Sequence, residues 1–136
     1  PRGADRARPD TARSPVRATI QGMTQQRLFY DGSCGLCRRE IEHLRGRLEP
    51  TLELVDISAP AFEPPAGYTF AAMMERIHLH DGERMQVGLP ASLVYWRMAG
   101  GGFRLLAAVM RLPGIYALAN RAYNAWAAWR LRGRAC

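Results

Sequence analysis

The chain has 136 residues, 48% of them hydrophobic, which is enough for one compact core and too few for two. All 19 basic residues are arginine, and the formal net charge of +7 is unevenly spread: residues 1–22 carry five Arg against two Asp, residues 23–96 seven Arg against ten acids, and residues 97–136 seven Arg against none. The basic balance comes from the two ends, around a mildly acidic middle, so the total charge does not make the chain a nucleic-acid binder.

Residues 1–22 are rich in Arg, Pro, Ala and Thr without an apolar period, and are expected to form a disordered tail ahead of a single domain over 23–136. Leu28, Phe29 and Tyr30 predict a short buried strand over 27–31, and Gly32-Ser33 turns the chain into a helix over 34–48 with Ser33 as its N-cap. Leu36, Cys37, Ile41, Leu44 and Leu48 fall at helical spacing, and Pro50 ends the run. Residues 51–57 alternate apolar and polar side chains and predict a second strand, parallel to the first because a helix crosses between them. A Pro-rich loop over 58–67 leads to about two helical turns over 68–74. Asp81-Gly82 predicts a hairpin turn between strands over 76–80 and 84–87. Gly88-Leu89-Pro90 then opens a helix over 91–98, Gly100-Gly101-Gly102 breaks it, and two further helices are expected over 103–111 and from 114 to about 132. Strand, helix, strand, short helix, strand, strand, helix is the order of a thioredoxin-like α/β fold with a small mixed sheet, here with extra C-terminal helices.

The chemistry concentrates at the end of the first strand. Cys34 and Cys37 form a C-x-x-C at a strand-to-helix junction, where unpaired N–H groups and the helix dipole favour a thiolate. Three cysteines are an odd number and too few for a disulfide-stapled fold. No stretch has the layout of a signal peptide or reaches about 18 uncharged apolar residues, so a reducing cytoplasm is the expected compartment. There the pair reads as catalytic or metal-binding. Cys34 is expected to be the more exposed sulfur and the nucleophile, and Cys37, facing the core, the resolving thiol. Asp31 either caps the turn through backbone N–H groups or takes part in proton transfer when Cys37 is deprotonated.

Zinc is the rival reading, but a closed thiolate site needs about four ligands. Cys136, His43, His78 and His80 are the candidates to complete it and none has suitable spacing, so no metal and no cofactor is expected. His78 and His80 share a strand face and read first as surface polar residues. In the last helix Tyr116, Tyr123, Trp126 and Trp129 accompany Arg121, Arg130, Arg132 and Arg134, a composition compatible with an anionic membrane surface. Ile115, Leu118, Ala119, Ala122 and Trp126 also make a stripe at helical spacing that would cover the sheet, and this packing reading is the favoured one. Nucleic-acid binding is not expected, since the predicted strands carry few aromatic or basic residues.

The run Tyr30-Asp31-Gly32-Ser33-Cys34-Gly35-Leu36-Cys37 closely resembles the signature of the DCC family of thiol-disulfide oxidoreductases, named for an Asp-x-x-Cys-x-x-Cys motif that is Asp31, Cys34 and Cys37 here. Asp56, Ile77-His78, Gly88, Leu112-Pro113, Tyr116, Ala119, Asn120 and Arg121 also look like that family's pattern. The resemblance implies a thioredoxin-like fold and disulfide exchange with a protein or small-molecule thiol or disulfide. Two departures from thioredoxins stand out. Leu36 replaces the proline common between the cysteines, and Met74-Glu75 precede the third strand where a proline usually faces the redox pair. The alternative is a binding module of the same fold whose thiols hold zinc or are idle, with the basic C-terminal helix engaging a partner or a membrane.

Overall fold

The computed structural model describes residues 26–133; the expected tail at 1–22, Met23 and Cys136 lie outside the described residues. The elements are β1 (Arg27–Tyr30), α1 (Gly35–Leu48), β2 (Glu53–Asp56), α2 (Phe70–Glu75), β3 (His78–His80), β4 (Met85–Val87), α3 (Leu89–Ala99), α4 (Gly101–Met110) and α5 (Pro113–Gly133). The sheet order is β2-β1-β3-β4. β1 runs parallel to β2, with Leu28 opposite Leu54, and antiparallel to β3, with Leu28 opposite Leu79. β4 returns antiparallel along β3. This is the thioredoxin-like arrangement.

The apolar run in β1 follows from its central place, because both faces of the strand are covered. Leu28 and Tyr30 point into a cluster with Ile41, Leu44 and Leu48 of α1, Leu79 of β3, and Ala91 and Tyr95 of α3. Phe29 points the other way, into Ile57 and Met73 with Val55 and Phe62. Leu28, Leu44, Leu48 and Leu79 are fully buried, each contributing about 1.5–3 kcal/mol of apolar transfer free energy. A buried-end lock joins α1 to α3: Glu40 Oε1 accepts hydrogen bonds from Tyr95 Oη at 2.9 Å and Trp96 Nε1 at 2.7 Å.

The hairpin forms where Asp81-Gly82 places it. Asp81 Oδ1 accepts the N–H groups of Glu83 and Arg84 at 3.0 and 2.9 Å, and Gly82 takes a φ of +104°. Pro90 sits in the first turn of α3, as a helix start requires. A third cluster joins Leu89 and Leu93 of α3 and Ala107 of α4 to Tyr116, Ala119 and Tyr123 of α5.

Four expectations are corrected. Ser33 is not the N-cap of α1; Cys34 is, because the Ser33 hydroxyl is taken by Asp31 Oδ1 at 2.5 Å. Gly100 alone breaks α3 from α4, and Gly101 and Gly102 are already helical. His78 is buried instead of lying on the surface: Nδ1 bonds the Arg76 carbonyl at 2.8 Å, the Tyr68 ring stands edge-on, and burial holds the imidazole below its ordinary pKa. The stripe Ile115, Leu118 and Ala122 faces outward. The sheet side of α5 is instead covered by Tyr123, Ala127 and Arg130, and the Tyr123 hydroxyl accepts the Ile77 N–H at 3.2 Å.

Candidate active site

The turn after β1 is built around two carboxylates. Asp56, at the end of β2, accepts the Gly32 N–H at 3.0 Å and the Ser58 N–H and hydroxyl at 2.8 and 2.6 Å. Burial alone would raise its pKa, but these donors and Arg38 hold it below the ordinary carboxylate value. The approach is so close that a Cβ on Gly32 would run into the Asp56 carboxylate and have to displace it from its hydrogen bonds. Asp31 closes the turn from the other side: Oδ1 accepts the Ser33 N–H at 3.0 Å, and its carbonyl accepts the Cys34 N–H at 3.2 Å. The capping role expected of Asp31 is therefore present in the geometry.

Cys34 ends this turn as the N-cap of α1, with extended dihedrals (φ −79°, ψ 114°), and Cys37 lies one turn into the helix. Neither is in a disulfide. Their exposure is the reverse of the expected order. Cys34 is 1% exposed, whereas Cys37 is half-buried. The turn that carries Cys34 is pinned by Asp31 and Asp56, and the helical step to 37 brings Cys37 to Arg130 of α5.

The residue that sequence reasoning missed is Arg130, brought from 99 residues away by α5. Its guanidinium is 7% exposed and pairs with Asp31 Oδ2 at 3.0 Å, a carboxylate almost as buried. The same Nη1 reaches Cys37 Sγ at 3.8 Å, Nη2 donates to the Met74 carbonyl at 2.6 Å, and the guanidinium carbon stacks 5.5 Å from the Trp126 ring centre. A readable signal existed: Tyr116, Ala119, Tyr123, Ala127 and Arg130 recur at helical spacing, so Arg130 is a charge on an apolar stripe. Among seven C-terminal arginines it did not stand out by composition.

The surroundings of Cys37 disfavour its thiolate. Burial is the largest cause pushing the Cys37 thiol far up, followed by its hydrogen bond to Cys34 and the negative charges of Cys34 and Asp31, with Arg130 pulling the other way. Burial works against the charge on Arg130, yet the two sulfurs and Asp31 outweigh it and hold the guanidinium above its ordinary value. One cation thus serves two sulfurs and one carboxylate. Beside it lies a cavity of about 20 Å³, lined by Cys37, Asp31, Tyr123, Trp126 and Arg130 among others, with room for one water molecule and none for a substrate.

The other candidates do not gather here. His43 lies on the outer side of α1, its ring 6.2 Å from Phe103, and His80 Nδ1 accepts the Gly82 N–H. Among the described residues no three His, Cys, Asp or Glu side chains converge as a metal site would need.

Comparison with known proteins agrees with the geometry. An uncharacterized chloroplastic protein of Arabidopsis thaliana is 31% identical over 112 residues, covering 78% of this chain and 51% of that protein, so the chain spans about half the length of the curated relative it matches. No solved structure is a significant match. The model of the DCC1-like thiol-disulfide oxidoreductase family matches residues 28–134, which includes both cysteines, Asp31 and Arg130. The paired cysteines support a redox role, and the chain belongs to the DCC1-like thiol-disulfide oxidoreductase family.

Proposed function

We propose that the protein exchanges disulfides with a protein or small-molecule partner by cycling Cys34 and Cys37 between dithiol and disulfide. The observation that carries this is the placement of the pair: Cys34 is the N-cap of α1, where the helix terminus favours a thiolate, and Cys37 lies one turn in with Arg130 Nη1 at 3.8 Å from its sulfur. In the reducing direction the Cys34 thiolate attacks one sulfur of a substrate disulfide, forming a mixed disulfide and expelling the other sulfur as a thiolate. Cys37 then loses its proton and attacks the Cys34 sulfur of that mixed disulfide. The second substrate sulfur leaves as a thiolate, and two electrons have passed from the pair to the substrate. Asp31 holds Arg130 against Cys37, so a cation stands ready as the Cys37 thiolate forms. Because the cavity beside Arg130 admits only water, the partner is engaged at the surface.

Trapping separates the roles. With oxidised glutathione, Cys37→Ser is expected to accumulate a stable glutathione adduct on Cys34, and Cys34→Ser to react slowly if at all. The greater exposure of Cys37 favours a second reading in which it reacts first. An adduct that accumulates on Cys37 in Cys34→Ser, with none on Cys34 in Cys37→Ser, would establish that order instead.

A further inference from the structure

The corner between α4 and α5 carries an apolar surface that the redox reading does not use. On α4, Phe103, Ala107 and Met110 turn inward, and Leu105 (68% exposed) and Val109 lie on the opposite side. On α5, Ile115, Leu118 (72% exposed) and Trp129 (55%) are spaced along one outward stripe with Ala122 and Ala125 between them. At 1.5 Å per residue this stripe is about 21 Å long. Leu112, also exposed, caps the corner.

The charge around this surface has one sign. Arg97, Arg104, Arg111, Arg121 and Arg132 are exposed, and residues 97–136 contain no Asp or Glu. Arg130 is occupied internally by Asp31. No single helix among the described residues is long and apolar enough to cross a membrane, but α4 and α5 together have the hydropathy of a span and are bent by 102°. Most of that apolar surface is exposed, unlike the core helix of a globular protein. Two amphipathic arms with an outward tryptophan and flanking arginines fit an interface between headgroups and acyl chains. A second copy of the chain fits poorly, since it would set arginine against arginine.

We infer that the α4–α5 corner seats the protein on an anionic lipid surface, with Leu105, Val109, Leu112, Ile115 and Leu118 in the acyl boundary and the arginines among the headgroups. Flotation of the full chain with vesicles of equal phosphatidylglycerol and phosphatidylcholine, and with phosphatidylcholine alone, tests this. The expected result is binding to the anionic vesicles that weakens with salt and falls at least about tenfold in Leu105→Glu/Leu118→Glu, two exposed positions whose substitution is expected to leave the circular dichroism and melting curve unchanged. A charge variant, Arg104→Gln/Arg111→Gln/Arg121→Gln, is expected to lose anionic selectivity. No binding to anionic vesicles, equal binding to neutral ones, or binding indifferent to the leucine substitutions would overturn the inference. So would a dimer in sedimentation that Leu105→Glu/Leu118→Glu dissolves while the parent ignores vesicles, or binding only to an acidic protein.

Discussion

Replacing Arg130 by methionine removes the cation that the candidate site is built around while keeping the length of the side chain. Three losses follow. The Asp31 carboxylate, about as buried as its partner, is left uncompensated after losing a 3.0 Å ion pair. Breaking a buried pair from one side costs about 3–5 kcal/mol, and with both side chains at or below a tenth exposed there is little solvent to soften it. The Met74 carbonyl loses its 2.6 Å donor, and the Trp126 ring its stacked cation, contributions of about 1 kcal/mol each that overlap with the first. The expected destabilisation is about 4–5 kcal/mol, a large share of the 5–15 kcal/mol typical of a domain. Urea unfolding followed by circular dichroism measures it, with the slope checked for two-state behaviour. Asp31→Asn/Arg130→Met is expected to recover part of the loss, giving a coupling of about 1–3 kcal/mol in the double-mutant cycle. If Arg130→Met lay within about 1 kcal/mol of the parent, or the cycle showed no coupling, the pair would not organise the site and the reasoning would fail.

Other substitutions probe the same architecture. Gly32→Ala forces its new methyl group into the Asp56 carboxylate and is expected to cost about 1–3 kcal/mol, with Asp56→Ala/Gly32→Ala less harmful than the sum of the singles; a neutral Gly32→Ala in a thermal melt would refute the close approach. Glu40→Ala leaves the buried Tyr95 hydroxyl and the Trp96 N–H without their acceptor, and calorimetry should find a loss of about 1–3 kcal/mol, against a smaller one for Tyr95→Phe. Asp81 has its pKa lowered to about 2 by the N–H groups of Arg84 and Glu83. A folded pKa below the unfolded value means that its stabilisation is present above about pH 4 and lost as pH falls toward 2, and at this solvent-exposed turn it amounts to about 1 kcal/mol. Asp81→Asn should therefore narrow the stability difference between pH 5 and pH 2, and an unchanged pH profile would count against it.

The sequence was most legible where local signals and global place coincide. The β1 apolar run, the Asp81-Gly82 turn and Pro90 at the start of α3 are each specified by residues within a few positions, and each forms as expected. Asp31, Cys34 and Cys37 are close in sequence, so their junction was readable too. What could not be read is what arrives from far along the chain. Arg130 meets Asp31 only because α5 folds back, and periodicity marks its stripe without saying which stripe of α5 packs inward. The outward face of Ile115 and Leu118 was misassigned for that reason: α5 has apolar residues on two sides, and tertiary packing chose the side with the tyrosine and the buried arginine. The exposure order of the cysteines was misjudged because the turn that buries Cys34 is held by Asp56, which arrives from β2 and is not adjacent in sequence.

The central claim is that Cys34 and Cys37 are a working redox couple, and intact-mass thiol trapping across a series of glutathione buffers, on a Cys136→Ser background, tests it most directly. A reversible loss and gain of two hydrogens confined to the peptide holding Cys34 and Cys37 is the predicted result, and its midpoint gives the direction in which the pair works. No transition over the glutathione range, or a zinc-sized mass that shields both thiols, would contradict the account and turn the same fold into a binding module.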